Sequence, residues 1–163
     1  MIWSRLFPKK NKQAEALYAA IVAAARQPQF YRDLGVPDTV DGRFDMLVLH
    51  LALVVARLRG ERDGLRQELV NQFTTDMDDN VRELGAGDLG VAKRVRSMAE
   101  AFQGRYTAYD AAQDLPEMAA AVNRNIYAGS APSDTLALYA LQARKRLAAQ
   151  LTDDIVAGKP QFT

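Results

Sequence analysis

Apolar residues recur at spacings of three and four in five stretches of the chain, and in a sixth they run almost without interruption. That sixth stretch, Met46 to Ala56, is broken only by His50. It is too evenly apolar for a surface helix and shorter than the roughly 20 residues that span a bilayer, so it predicts a central helix buried on all sides. Ahead of it, Asn11 to Gln27 keeps Leu17, Ile21 and Ala25 on one face with Tyr18 and Val22 beside them, and stops at Pro28. A turn holding Phe30, Tyr31 and Leu34 follows, and Val36 before Pro37 is pushed into extended backbone. Asp38, with Asp41 three residues on, is the expected cap of the central helix, which Gly60 ends.

The remaining periodic stretches predict four more helices. Leu65, Leu69, Phe73, Met77, Val81 and Leu84 form one inward line, ending at Gly85 to Gly87, where Asp88 is placed to cap the next helix. There Val91, Val95, Met98 and Phe102 face inward, and the pattern weakens at Gly104. Asp114 and Glu117 have capping-box spacing before Leu115, Met118, Val122 and Ile126. After a loop from Gly129 to Pro132, Ser133 or Asp134 caps a last helix with Leu136, Tyr139 or Ala140, Ala143, Leu147, Leu151 and Ile155 inward. No strand-like alternation, internal repeat or low-complexity linker interrupts this order. The expected fold is an all-α, single-domain bundle of about six helices over residues 13–157, with a flexible segment at 1–12 and a tail at 158–163.

Composition narrows the partners more than it changes the fold. A length of 163 residues, 48% hydrophobic and 25% charged, suits one soluble domain with a sizeable core. A formal charge of +1 argues against a dedicated DNA binder, so charged partners are sought in local patches. The absence of cysteine removes disulfides, thiolate zinc sites and cysteine nucleophiles. The opening MIWSRLFPKK has no continuous apolar core or cleavage site of a secretory signal, which makes the cytoplasm the expected location.

Few residues carry candidate chemistry. Gly85, Gly87 and Gly90 spell a dinucleotide fingerprint, but a helix rather than a strand feeds the turn, so a helix-to-helix corner is the reading. Asp76, Asp78 and Asn80 begin a calcium-loop spacing that fails where Val81 and Gly87 replace its glycine and glutamate. The single histidine excludes His-pair zinc and di-iron arrangements, and no cofactor or metal is expected. A lone histidine within an apolar helix is most often a hydrogen-bonded core residue. Yet Arg43, His50 and Arg57 recur every seven residues, a polar line that marks either a binding groove or the solvent edge of the rod. Lys93, Arg94 and Arg96, with Arg105, form a basic cluster suited to RNA phosphates, lipid head groups or a solvated face. Trp3, Leu6 and Phe7 beside Lys9 and Lys10 combine apolar and basic side chains as membrane-surface segments do.

Two ordered blocks are specific enough to compare with a known family. The first runs Ala23-Ala24-Ala25-Arg26-Gln27-Pro28-Gln29-Phe30-Tyr31, then Gly35-Val36-Pro37-Asp38-Thr39-Val40-Asp41-Gly42-Arg43-Phe44-Asp45-Met46 and Leu49-His50. The second runs from Asp76-Met77-Asp78 through Arg82-Glu83-Leu84-Gly85 and Gly87-Asp88-Leu89-Gly90-Val91 to Lys93-Arg94-Val95, with Met98 to Phe102 and Gly104-Arg105 after it. Together they resemble the ubiquinol-cytochrome c chaperone family, closely up to about Ala112 and loosely beyond. The resemblance implies an all-helical, non-enzymatic assembly factor whose mitochondrial relatives bind newly made cytochrome b and help it enter the bc1 complex. Those relatives work in part at the ribosome and with a small partner protein. This chain resembles a bacterial member reduced to the chaperone domain. The expected client or partner contacts are then Arg43, Phe44, His50, Arg57, Lys93, Arg94 and Arg96. Trp3, Leu6, Phe7, Lys9 and Lys10 are the expected contacts with the cytoplasmic face of the inner membrane. A lipid or quinone carrier, which needs a closed apolar cavity, and a carboxylate-based metal enzyme are the alternatives.

Overall fold

A computed structural model describes residues 11–85 and 87–163. Its elements are α1 (Lys12–Ala25), α2 (Pro28–Arg32), α3 (Val40–Arg57), α4 (Asp63–Glu83), α5 (Asp88–Ala111), α6 (Leu115–Ile126), α7 (Thr135–Ala149) and α8 (Thr152–Val156). Six of these are long, and α2 and α8 are five-residue helices set in the connections. The fold is all-α.

The middle of the bundle is α3, as its sequence predicts: every residue from Asp45 to Val55 is buried. A helix apolar all round needs partners on every side, and α3 has α1, α5, α6 and α7 packed against it. Helices α4 and α5 form an antiparallel pair at one flank, with Leu65, Leu69, Phe73, Met77 and Val81 turned inward. Leu84, the next residue in that series, falls just past the helix end and is exposed.

Caps explain several boundaries. Asn11 Oδ1 accepts from the amides of Gln13 and Ala14 and opens α1. Asp114 Oδ1 accepts from Glu117 N at 2.9 Å, while the Glu117 carboxylate accepts from Gln113 N at 2.7 Å, a capping box shifted by one residue on its return bond. The cap of α3 is Thr39 rather than Asp38: its extended backbone directs Oγ1 to Gly42 N at 3.1 Å. Asp38 lies one residue too early to reach those amides and pairs with Arg43 instead, at 2.8 Å. Gly87 precedes α5 without a side-chain cap, and Asp88, inside the first turn, pairs with Arg82.

Two expected breaks fall elsewhere. Helix α5 runs unbroken through Gly104, where a Cβ would meet nothing within 4 Å; glycine lowers helix propensity there without removing a hydrogen bond. The last expected helix does break, at Gln150, whose extended backbone ends α7 and leaves Leu151 exposed before α8 begins. The tail then folds back. Gln150 Nε2 donates to Lys159 O at 2.6 Å, Gln161 N donates to Gln150 Oε1 at 3.0 Å, and Phe162 is buried edge-on against His50.

A groove at the amino-terminal end of the central helix

The polar line on α3 does not edge a single groove. His50 is fully buried, boxed by the rings of Phe30, Tyr139 and Phe162. Its Nδ1 lies 2.8 Å from Met46 O, which can only accept, so the proton sits on Nδ1 and Nε2 accepts from the Tyr139 hydroxyl at 2.7 Å. Burial pushes its pKa down to about 4, against the smaller opposing pull of the Met46 carbonyl. Arg57 is a fastener. Its Nε donates to Leu147 O at 2.8 Å, which also accepts from Gln150 N at 3.3 Å, and its Nη2 donates to Gln150 O at 3.1 Å, so it ties α3 to carbonyls at the end of α7. Arg66 does the same for Val55 O of α3, and Arg144 for Ala112 O and Tyr109 O at the end of α5.

Arg43 and Phe44 stand apart from buried His50 and half-buried Arg57. They line a groove of about 270 Å³ where the end of α1, the start of α3, the end of α4 and the middle of α5 converge. Its apolar lining comes from Val22, Val40, Phe44, Leu47, Met77, Val81, Leu84 and Met98. Two of these, Val40 and Leu84, are each 68% exposed. The Phe44 ring packs at a tilt against Phe73, 5.9 Å between centroids, and the Arg105 guanidinium lies over it at 5.7 Å. On the α4 wall, Asp76 accepts from the Tyr18 hydroxyl at 2.8 Å, and burial together with this carboxylate holds the Tyr18 phenol far above its ordinary pKa.

Polar depressions adjoin both ends of the groove. Arg26 and Arg43 are shared with a cavity of about 610 Å³ that also holds Tyr31, Arg32 and Asp38. Val40, Phe44 and Met98 are shared with a cleft of about 480 Å³ against α6, whose lining includes Asp41, Asp45, Arg105, Arg124 and Asn125. Asp45 is buried and ion-paired to Arg105 at 2.9 Å; desolvation nevertheless pushes its pKa up to about 6, with Arg105 drawing it partly back. The surface therefore reads basic, apolar, then mixed polar around the amino-terminal turns of α3.

The other expected contacts lie elsewhere. Lys93, Arg94 and Arg96 are exposed on α5 and have no ion pair among the described residues, near the 91%-exposed Leu89 at the α4–α5 corner. Trp3, Leu6, Phe7, Lys9 and Lys10 lie outside the described residues. Among the described residues no three of His, Asp and Glu gather closely enough to hold a metal ion, and no helix is long and apolar enough to cross a membrane. Periodicity could not have disclosed the groove: its walls come from four helices far apart in sequence, and Val40 and Leu84 look like ordinary inward positions until the helix ends are placed.

The bundle thus carries an open apolar groove flanked by charge, a surface of the kind that can take up another chain. Comparison with known families agrees: the family described as Ubiquinol-cytochrome C chaperone matches residues 32–162, so the likeness extends through the last third of the chain. The chain belongs to the ubiquinol-cytochrome c chaperone family. It is also similar to a solved structure, the Cbp3 homolog from Brucella abortus, with 38% identity over 99% of this chain and 94% of that one, at a TM-score of 0.84. Comparison with curated proteins finds no match.

Proposed function

We propose that this chain is an assembly chaperone of the cytochrome bc1 complex that holds newly made cytochrome b through the groove at the start of α3. The observation that carries the reading is the apolar trough containing Val40, Phe44, Leu84 and Met98 in a member of this family, with arginines at one end and a polar cleft at the other. A membrane-spanning segment before insertion has the matching profile, an apolar stretch with polar ends. A groove of this size receives the row of side chains along one face of a helix, at i, i+3, i+4 and i+7, rather than the whole helix. The role is binding, with no catalytic step assigned.

In this account Lys93, Arg94 and Arg96 serve a ribosome or a small partner protein, and Trp3, Leu6, Phe7, Lys9 and Lys10 serve the cytoplasmic face of the inner membrane. A lipid or quinone carrier needs an enclosed apolar cavity, whereas the walls of this groove include strongly exposed Val40 and Leu84. The test is a host strain carrying Val40→Asp with Leu84→Asp, both at exposed positions where folding tolerates charge. The expected result is a loss of spectroscopically detected bc1 complex at normal levels of folded chaperone. Normal bc1 content in that strain refutes the groove as the client site.

A further inference from the structure

The two ends of the apolar groove differ in what they can bond. Arg26 and Arg43 line both the groove and the depression of about 610 Å³ beside it, where Arg32 joins them. Three guanidinium groups line that depression against one carboxylate, Asp38. Asp38 holds Arg43 through Nε and Nη2, the latter at 2.8 Å, and leaves its Nη1 over; Asp33 holds Arg32 at 2.7 Å. The Tyr31 hydroxyl is taken up by Ala25 O at 2.9 Å. Arg26, exposed at the end of α1, has neither an ion pair nor a side-chain hydrogen bond among the described residues. The cleft at the other end of the groove has no such excess of donors, because Asp41 and Asp45 balance Arg105 and Arg124 there. The acids of the groove itself, Asp76 and Glu83, both belong to α4.

A helix is asymmetric in the same respect. Its last turn offers carbonyl oxygens without helical partners and carries the negative end of the dipole, whereas its first turn offers only amide donors. A guanidinium can only donate, so it suits the last turn and not the first. The chain uses that bond inside its own fold: Arg66 Nε donates to Val55 O in the last turn of α3, and Arg144 Nη1 to Ala112 O at the end of α5. Because Arg26 and Arg43 line both hollows, a helix whose side chains fill the groove brings one of its ends to them. We propose that the groove takes its client helix in one direction, with the carboxyl-terminal turn at the arginine depression and its free carbonyls bonded by Arg26 and Arg43. This orientation rests on the reading of the chain as a client-binding chaperone and adds to it which end of the bound segment lies where.

The test reads direction as well as affinity. Synthetic peptides covering each membrane span of the host's cytochrome b, acetylated at one end and amidated at the other so that no terminal charge steers them, carry a nitroxide at either end. They are titrated in mild detergent into the isotope-labelled full chain, and paramagnetic broadening is compared at the backbone amides of Arg32 and Ala101, one in each flanking hollow. A nitroxide at the carboxyl end of a bound span should broaden Arg32 more than Ala101, and one at the amino end should do the reverse. Arg26→Ala, at an exposed position whose side chain holds nothing in the fold, should weaken binding about three- to tenfold with little change in melting temperature. Equal broadening from both labels, the opposite pattern, or undiminished binding by the variant overturns the orientation and leaves the client reading standing. If the wild type binds no span, the client reading fails and the orientation falls with it.

Discussion

Acidification should act on this protein through two buried groups of α3 that pull in opposite directions. His50 is neutral in the fold, and burial lowers its pKa from an ordinary 6.5 to about 4. Between those values the unfolded chain binds a proton that the folded chain refuses, so stability falls as pH falls. The loss is at most about 1.4 kcal/mol per pH unit and totals about 3 kcal/mol by pH 4. His50 thus contributes fully above pH 6.5. Asp45, five residues earlier, has its pKa raised from 3.8 to about 6 by burial, with Arg105 opposing. There the folded chain holds a proton that the unfolded chain releases, so stability rises as pH falls from about 6 toward 3.8. Its slope has the same ceiling, and its total is smaller because the carboxylate is partly solvent-screened. The wild type should therefore show little pH dependence between pH 6 and 4.5. Asp45→Asn removes one arm and should lose stability steadily across that window, whereas His50→Gln should gain it. Urea unfolding followed by circular dichroism at half-unit pH steps measures both. A flat profile for Asp45→Asn would mean that His50 is not held neutral by burial, and the reasoning fails.

Glycine and arginine positions give sharper single-site outcomes. Gly42→Ala places a Cβ 1.9 Å from Pro37 O, a backbone atom that cannot move cheaply, and should cost at least about 2 kcal/mol in urea unfolding. Gly104→Ala, in open space within α5, should instead stabilise by about 0.5–1 kcal/mol; a loss there would show that the helix is not continuous at that point. Arg144→Met strips donors from Ala112 O and Tyr109 O at the end of α5 and should cost about 2–3 kcal/mol by chemical denaturation, with helical content retained. Leu51→Ala, in the fully buried middle of α3, should cost about 2–5 kcal/mol by the same measure.

The chain discloses its helices more readily than its surface. The buried run from Met46 to Val55 and the inward lines on α1, α4 and α6 follow from the sequence pattern alone, because burial in a helical bundle repeats with the helix turn. Gly104 and Leu151 mislead for a shared reason: a glycine on an exposed face need not end a helix, and a leucine in register need not be inside if the helix ends first. Likewise, Asp38 and Thr39 are both good caps by type, and only backbone geometry selects Thr39. His50 and Arg57 fall on one polar line with Arg43, yet apart from Met46 O in the preceding turn of α3, their partners, Tyr139 for one and the carbonyls of Leu147 and Gln150 for the other, are supplied by packing against α7 and the turn after it. Arg43 and Phe44 are among the contacts expected from the sequence, but the apolar groove beside them emerges only when residues near 22, 40, 80 and 98 meet.

The most direct test of the central claim is crosslinking inside the native host, with a photoreactive amino acid at Leu84, in the groove, and at Leu138, exposed on α7 as a control. The account predicts that illumination during active synthesis joins newly made cytochrome b to position 84 and not to position 138. Equal labelling from both positions, or no cytochrome b at position 84 beside normal crosslinking to other proteins, contradicts it.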